Sequence, residues 1–278
     1  MDKENFQYSK WLFSIIVFIL VTVAGTVICD YAVRNYQIAQ RNDAREMLTT
    51  TTSEMSAQMA ELMKSTEMLS AYTNQPTKNN WLQASKELME QQKNLLGVEY
   101  IPAGQPLWEA PSSFHVQYAP GLWEFISNLQ RTAAEGDDAA KLLAPILLPD
   151  GSSVTLVMTP RFNYNTRSQK FDYVGSQYTV WALPATFQKM IDAVVAAGYE
   201  YQIYGNNGYL PQGGIVAESK AKLRDAETMS IRVAGGQWVM SVEPVDGWVS
   251  REHQLIYISV SMLLGILVSC LFWRLYKK

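Results

Sequence analysis

Ala144-Pro-Ile-Leu-Leu-Pro149, Asp150-Gly151, Ser152-Ser-Val-Thr-Leu-Val-Met-Thr159 is the sharpest local signal in the chain. Two apolar, β-rich runs are joined by Asp-Gly, a dipeptide that accepts the positive φ angles of a tight hairpin. On its C-terminal side, Phe171 to Ala182 is a further aromatic, β-branched strand, and a helix predicted from Pro184 to Ala197 is stopped by Gly198. Tyr199 to Tyr204 reads as a strand, and Thr228 to Val233 pairs with Gln237 to Val242 through Ala234-Gly235-Gly236. On the N-terminal side, Gly121 to Thr132 is a helix with Trp123, Ile126, Leu129 and Ala133 at helical spacing. Before it, Val98 to Ile101 is a short strand, and Asn80 to Leu96 a helix with Trp81, Ala84 and Leu88 on one stripe. Packing a helix on a mixed antiparallel sheet buries these apolar faces, which predicts one α+β core over 80–250.

Between Asp30 and Thr73 there is no Pro or Gly, and Ala, Met, Glu, Gln and Arg are frequent, so one long helix is expected over 30–75. Within it Leu48, Thr52, Met55, Met59, Leu62, Thr66 and Leu69 step by four and three, the spacing of a coiled-coil seam. The run Thr49 to Thr52 weakens that seam, because β-branched polar residues lower helix propensity and bury hydroxyls. Two partners fit it: the chain's own sheet, or a second copy, which would make 48–69 a homodimer stalk.

Two uncharged apolar runs frame the rest. Trp11 to Cys29 and Leu255 to Trp273 each approach the roughly 20 residues that cross a hydrocarbon core. The first exceeds the apolar length of a secretory signal and lacks an Ala-x-Ala site after it. Arg274, Lys277 and Lys278 follow the second run, with only Arg251 close on its other side, which favours a cytoplasmic C-terminus. The expected layout is a cytoplasmic segment 1–10, a span 11–29, an extracytoplasmic region, a span 255–273 and a cytoplasmic tail 274–278. Cys29 and Cys270 then lie near opposite membrane faces, beyond the reach of a disulfide.

Composition removes other classes. At 48% hydrophobic and 12% aromatic residues the chain is too apolar for disorder. With 23 Lys+Arg against 26 Asp+Glu it lacks a basic footprint for nucleic acid. Two His and two Cys without metal-ligand spacing speak against a zinc site. No glycine-rich phosphate loop or nucleophile elbow occurs, so neither an enzyme nor a cofactor is expected. His115 stands alone between Phe114 and Val116, and Asp150 is a turn residue.

Leu142-Leu-Ala-Pro-Ile-Leu-Leu148 followed by Thr155-Leu-Val-Met-Thr-Pro-Arg-Phe-Asn163 resembles the middle of CHASE-type extracellular sensor domains. Phe171 to Tyr178 with the helix Leu183 to Val195 is similar to that family's next strand and helix. Gly236 to Met240 and Pro244 to Trp248 resemble the end of bacterial receptor ectodomains. The resemblance covers roughly residues 95–250 and implies a PAS-like lobe behind a long helix, held between two membrane spans. It implies a small ligand bound on the sheet and a cytoplasmic signalling partner. Leu143 and Met158 stand where family members carry Thr, which speaks against a cytokinin-like ligand, and Glu124 is the nearest match to an acidic pocket residue.

From the residues themselves, Trp123, Tyr173 and Tyr178 are candidate aromatic pocket walls or simply core. Arg161 is a candidate carboxylate anchor or a solvated strand-end base. The expected ligand set is therefore Trp123, Glu124, Met158, Arg161, Tyr173 and Tyr178. After Trp273 only Arg-Leu-Tyr-Lys-Lys remains, so the expected inner-membrane sensor signals through a separate effector or is the sensory part of a longer receptor. An envelope scaffold whose outer domain grips proteins is the alternative.

Overall fold

The computed structural model describes residues 3–71, 78–103, 108–109, 122–147, 153–206, 213–219, 223–249 and 251–275. The elements are α1 (Lys3–Ala71), α2 (Lys78–Gln91), β1 (Leu95–Pro102), β2 (Trp108–Glu109), α3 (Leu122–Ala134), β3 (Lys141–Leu147), β4 (Ser153–Asn165) and β5 (Lys170–Leu183). They continue with α4 (Gln188–Ala196), β6 (Tyr199–Asn206), β7 (Gly214–Glu218), β8 (Glu227–Val233), β9 (Gly236–Pro244) and α5 (Arg251–Leu275). The chain divides into one compact unit of 45–243 and another of 1–44 with 244–278.

In the larger unit the strands form two sheets, ordered β2-β1-β5-β4-β3 and β7-β6-β9-β8. The single core expected from sequence is thus corrected to two sheet modules. The reason lies in long-range pairing: β6 takes β9 as its neighbour, and the chain leaves the first sheet at Leu183 through a 3-10 turn, Ala185–Phe187, into α4. The expected hairpin between β3 and β4 forms, with Leu147 opposite Ser153, while its Asp150-Gly151 turn lies outside the described residues. A second, longer hairpin pairs β4 with β5 from Ser153↔Leu183 out to Asn165↔Lys170. β3 pairs only as far as Met158, so one edge of β4 is open at Pro160, where a residue without an N–H is tolerated.

All seven seam positions of α1 are buried within the single chain, together with Thr51. The Thr66 hydroxyl meets that of Thr179 on β5 and also bonds the Leu62 carbonyl, 3.0 Å away. Back-bonding of this kind satisfies a buried threonine hydroxyl inside a helix, which offsets the cost expected from the threonine run. The seam is therefore buried within the chain's own fold, with Thr66 set against the first sheet. The reading of 48–69 as a stalk seam for a second copy is corrected on that ground. Further along α1, Arg45 grips Glu227 of β8 with Nε and Nη2 at 2.9 and 3.2 Å.

Among the described residues one helix, α1, is long and apolar enough to cross a membrane, its candidate span falling within Leu12–Leu69. The apolar part of α5, Leu255–Leu271, is shorter. The two helices touch at small residues: a Cβ on Gly25 would sit 3.3 Å from Ser261, and one on Gly265 would sit 2.6 Å from the Thr22 hydroxyl. Cys29 Sγ lies 3.2 Å from Ser261 Oγ. Close approach through Gly, Ser and Thr is how helices associate where no water drives them together. Leu12, Leu20, Val27, Leu255, Leu263 and Leu271 stand exposed on the outside of the pair.

Candidate functional site

Antiparallel registers align one residue from each of four strands in a row across the first sheet. Glu99 of β1 lies opposite Tyr178 of β5, Tyr178 opposite Met158 of β4, and Met158 opposite Lys141 of β3. Directly opposed residues share a face, so the row is one surface. Helix α3 covers this surface with Leu122, Ile126 and Ala133, packed with Leu143, Ile146, Val154, Leu156, Met158, Tyr178 and Val180. Phe125, Leu129, Ile101 and Tyr173 lie half-buried around the same cluster.

Within this apolar cluster sits a compact set of polar groups. Gln130 Nε2 on α3 donates to the Tyr178 hydroxyl at 3.1 Å, and the hydroxyls of Tyr173 and Ser176 are 2.7 Å apart. Glu99 is only 1% exposed and Tyr178 is fully buried. Burial pushes the Tyr178 phenol far above its ordinary range, with the Tyr173 and Glu99 charges adding to the rise and hydrogen bonds from Ser176 and Gln130 opposing it. Burial also raises the Tyr173 phenol, opposed by its bond to Ser176. Both remain neutral hydroxyls at physiological pH, able to donate and accept. The arrangement offers two hydroxyl-bearing rings, a serine, an amide and one carboxylate inside an apolar wall.

The six residues expected from sequence separate on this scaffold. Met158, Tyr173 and Tyr178 come together beneath α3. Trp123 and Glu124 lie on the exposed side of α3, since Leu122 and Ile126 occupy its buried stripe. Arg161 sits three residues past Met158 on a regular stretch of β4, opposite Gly175, and so points to the other face. There its guanidinium feels Tyr100 and Glu67, while burial lowers its basicity. The structure thus does not bring Arg161 together with Met158, Tyr173 and Tyr178. His115 lies outside the described residues.

Glu99, Ser176 and Gln130 were not singled out by the sequence reading. Glu99 is a lone acid between Val98 and Tyr100-Ile101, and only the sheet order places its strand in the interior. On the opposite face of the sheet, Trp81 Nε1 donates to Gln177 Oε1 at 2.8 Å, and Gln177 Nε2 donates to the Glu99 carbonyl at 2.8 Å. Among the described residues no cluster of His, Cys, Asp or Glu has the makings of a metal site.

Tyr178→Phe is expected to cost about 1–2 kcal/mol, because the Gln130 amide loses its buried acceptor. Urea unfolding followed by circular dichroism measures it. A variant as stable as the parent would show that the Gln130 contact contributes nothing.

No family model matches the chain, and no curated protein sequence matches it. Solved structures do resemble it. The ligand-binding domain of an amino-acid chemoreceptor from Pseudomonas aeruginosa PAO1, in complex with GABA, superposes with a TM-score of 0.53 at 13% identity, covering 73% of this chain and 99% of that one. An extracellular ligand-binding receptor from Desulfohalobium retbaense gives 0.53 at 15% identity, covering 72% of this chain and 40% of its own. A second Pseudomonas aeruginosa PAO1 chemoreceptor domain, in complex with L-Arg, gives 0.52 at 13% identity, covering 73% and 94%. The chain therefore shares the fold of extracellular sensor domains.

Proposed function

We propose that this protein is a membrane-anchored extracytoplasmic sensor that binds a small ligand on the α3 face of its first sheet. The observation that carries the reading is the buried Glu99, Tyr178 and Ser176, with the half-buried Gln130 bonded to Tyr178, beside an otherwise apolar cluster. The neighbouring solved domains, which hold GABA and L-Arg, support a ligand of amino-acid size. The hairpin that resembles CHASE-type domains lies in the same sheet and supports the same reading.

By this account both apolar helices span the inner membrane, both termini are cytoplasmic, and the sheet modules face the periplasm. The chain itself is not an enzyme. Ligand contacts made by α3, β1 and β5 alter how the first sheet packs on α1, and α1 continues as one helix into the apolar segment. A cytoplasmic signalling protein reads the resulting shift. The ligand moves that equilibrium only by its differential affinity for the two packings, typically worth about 1–3 kcal/mol. A homodimer would use faces of α1 other than the buried seam.

Thermal unfolding of the full chain in lipid nanodiscs, measured against a panel of amino acids, amines and carboxylates, tests the proposal. A true ligand at about 100 times its Kd should stabilise the folded state by about 2.7 kcal/mol. No shift with any member of the panel would turn the reading towards the envelope-scaffold alternative.

A further inference from the structure

We infer that an anionic phospholipid occupies a crevice between α1 and α5, with its phosphate at Arg274 and an acyl chain against Ile15, Phe18, Leu267 and Leu271. This rests on the two-span reading above, by which the Arg274 end of α5 lies at the inner leaflet.

The first support is the cavity itself. It measures ≈ 800 Å³, a size typical of small-molecule sites. Its place follows from how the two helices meet. Gly25 packs on Ser261, and Gly265 packs on Thr22 and Phe18, so α1 and α5 run antiparallel in close contact over those turns. Past Phe18 on α1 and Gly265 on α5, in the direction of Arg274, neither helix carries another glycine, and the crevice begins there. From Leu267 to Arg274 it follows seven residues of α5, about two turns or 10 Å.

The second support is the change of chemistry along that length. Ile15, Phe18, Leu267 and Leu271 line the crevice with hydrocarbon, and Ser14 and Arg274 add a hydroxyl and a guanidinium towards its outer end. The guanidinium fork matches phosphate oxygens two at a time. Lys277 and Lys278 follow Arg274 in sequence, and the nearest acids along either helix, Glu4, Asp30 and Glu252, lie ten or more residues from any lining residue. Trp273, half exposed in the same wall, is the residue type that settles at headgroup level. Basic pockets between membrane helices on the cytoplasmic side accept anionic headgroups. A partner's membrane helix fits less well, because it would dock over many turns and this crevice closes after two.

Native mass spectrometry of the full chain, released from nanodiscs of equal phosphatidylglycerol and phosphatidylcholine, tests the inference. The chain is expected to retain phosphatidylglycerol in about fivefold excess or more. Arg274→Ala should remove most of that excess, and Arg274→Lys only part of it. Leu271→Trp keeps the charge but fills the crevice, and should lower retention of the lipid as well. Arg34→Ala, at an exposed ion pair with Asp30 twenty residues along α1 from Ser14, should change nothing. Equal retention of the two lipids, an unchanged excess in Arg274→Ala, or an equal loss in Arg34→Ala overturns the inference; with equal retention, a partner helix becomes the occupant to test. Hydrogen exchange over 255–271 in the same nanodiscs separates two kinds of failure. Slow exchange without lipid preference overturns the inference alone, whereas fast exchange overturns the two-span reading with it.

Discussion

Replacing Gly175 with valine is expected to destabilise the larger unit by about 3 kcal/mol, a loss in the upper part of the range for single substitutions. Gly175 adopts φ +145°, where an L side chain is strained. Space is equally restrictive. A Cβ would lie 2.5 Å from the Ile101 carbonyl oxygen and 2.8 Å from Pro102 Cα, both backbone atoms of β1, and 2.9 Å from the Tyr100 hydroxyl. The strands cannot separate locally without breaking the β1–β5 ladder, because Gly175 pairs with Pro102 at its end. Alanine carries the same Cβ and should recover only part of the loss. Urea unfolding monitored by far-ultraviolet circular dichroism measures both variants. Gly175→Ala within about 0.5 kcal/mol of the parent would show that β1 gives way easily. The same ladder places Glu99 opposite Tyr178, so Gly175→Val should also weaken ligand binding.

Trp81→Ala is expected to cost about 4 kcal/mol, in the range for removing a large buried aromatic. The indole is fully buried on α2 and packs edge-on to Trp108 with centroids 6.1 Å apart. Its N–H satisfies Gln177 Oε1, and the Gln177 amide in turn bonds the carbonyls of Glu99 and Tyr178. The side chain thus fastens α2 to the two strands that carry the candidate site. Trp81→Phe separates the two contributions. It keeps much of the packing but strands the buried Gln177 oxygen, and should cost about 1–2 kcal/mol. Equal losses for the two variants would show that the hydrogen bond, not the packing, dominates.

Local elements were legible in the sequence wherever one period or one turn signal ruled. The β3–β4 hairpin follows from two apolar runs around Asp-Gly, and α1 from a long stretch free of Gly and Pro with a four-three seam. The seam's partner was not legible, because an apolar stripe looks the same whether it faces a sheet or a second helix. The division into two sheets was hidden for a similar reason: β6 finds β9 across a long separation that no local pattern encodes.

Within the site, parity along the strands decides what meets what. Met158 and Arg161 differ by three, so a regular strand sends them to opposite faces, a signal present in the sequence. Tyr173 and Tyr178 differ by five and yet share a face. The register shift between Arg161 and Phe162 moves the partner of β4 from Gly175 to Tyr173 and skips Val174. A bulge of that kind reverses the alternation beyond it. Only the pairing shows it. Glu99 is the converse case, since its burial on an interior strand follows from the sheet order β2-β1-β5 and not from its neighbours in sequence.

Hydrogen exchange on the full chain in nanodiscs, with and without a saturating concentration of whichever panel member proves tightest, reads out where the ligand sits. Increased protection confined to 95–102, 122–134 and 170–183, with a smaller change along 48–69, is the predicted result. Protection centred on α4 and the second sheet, with 95–102 unchanged, would contradict the placement of the sensory site beneath α3.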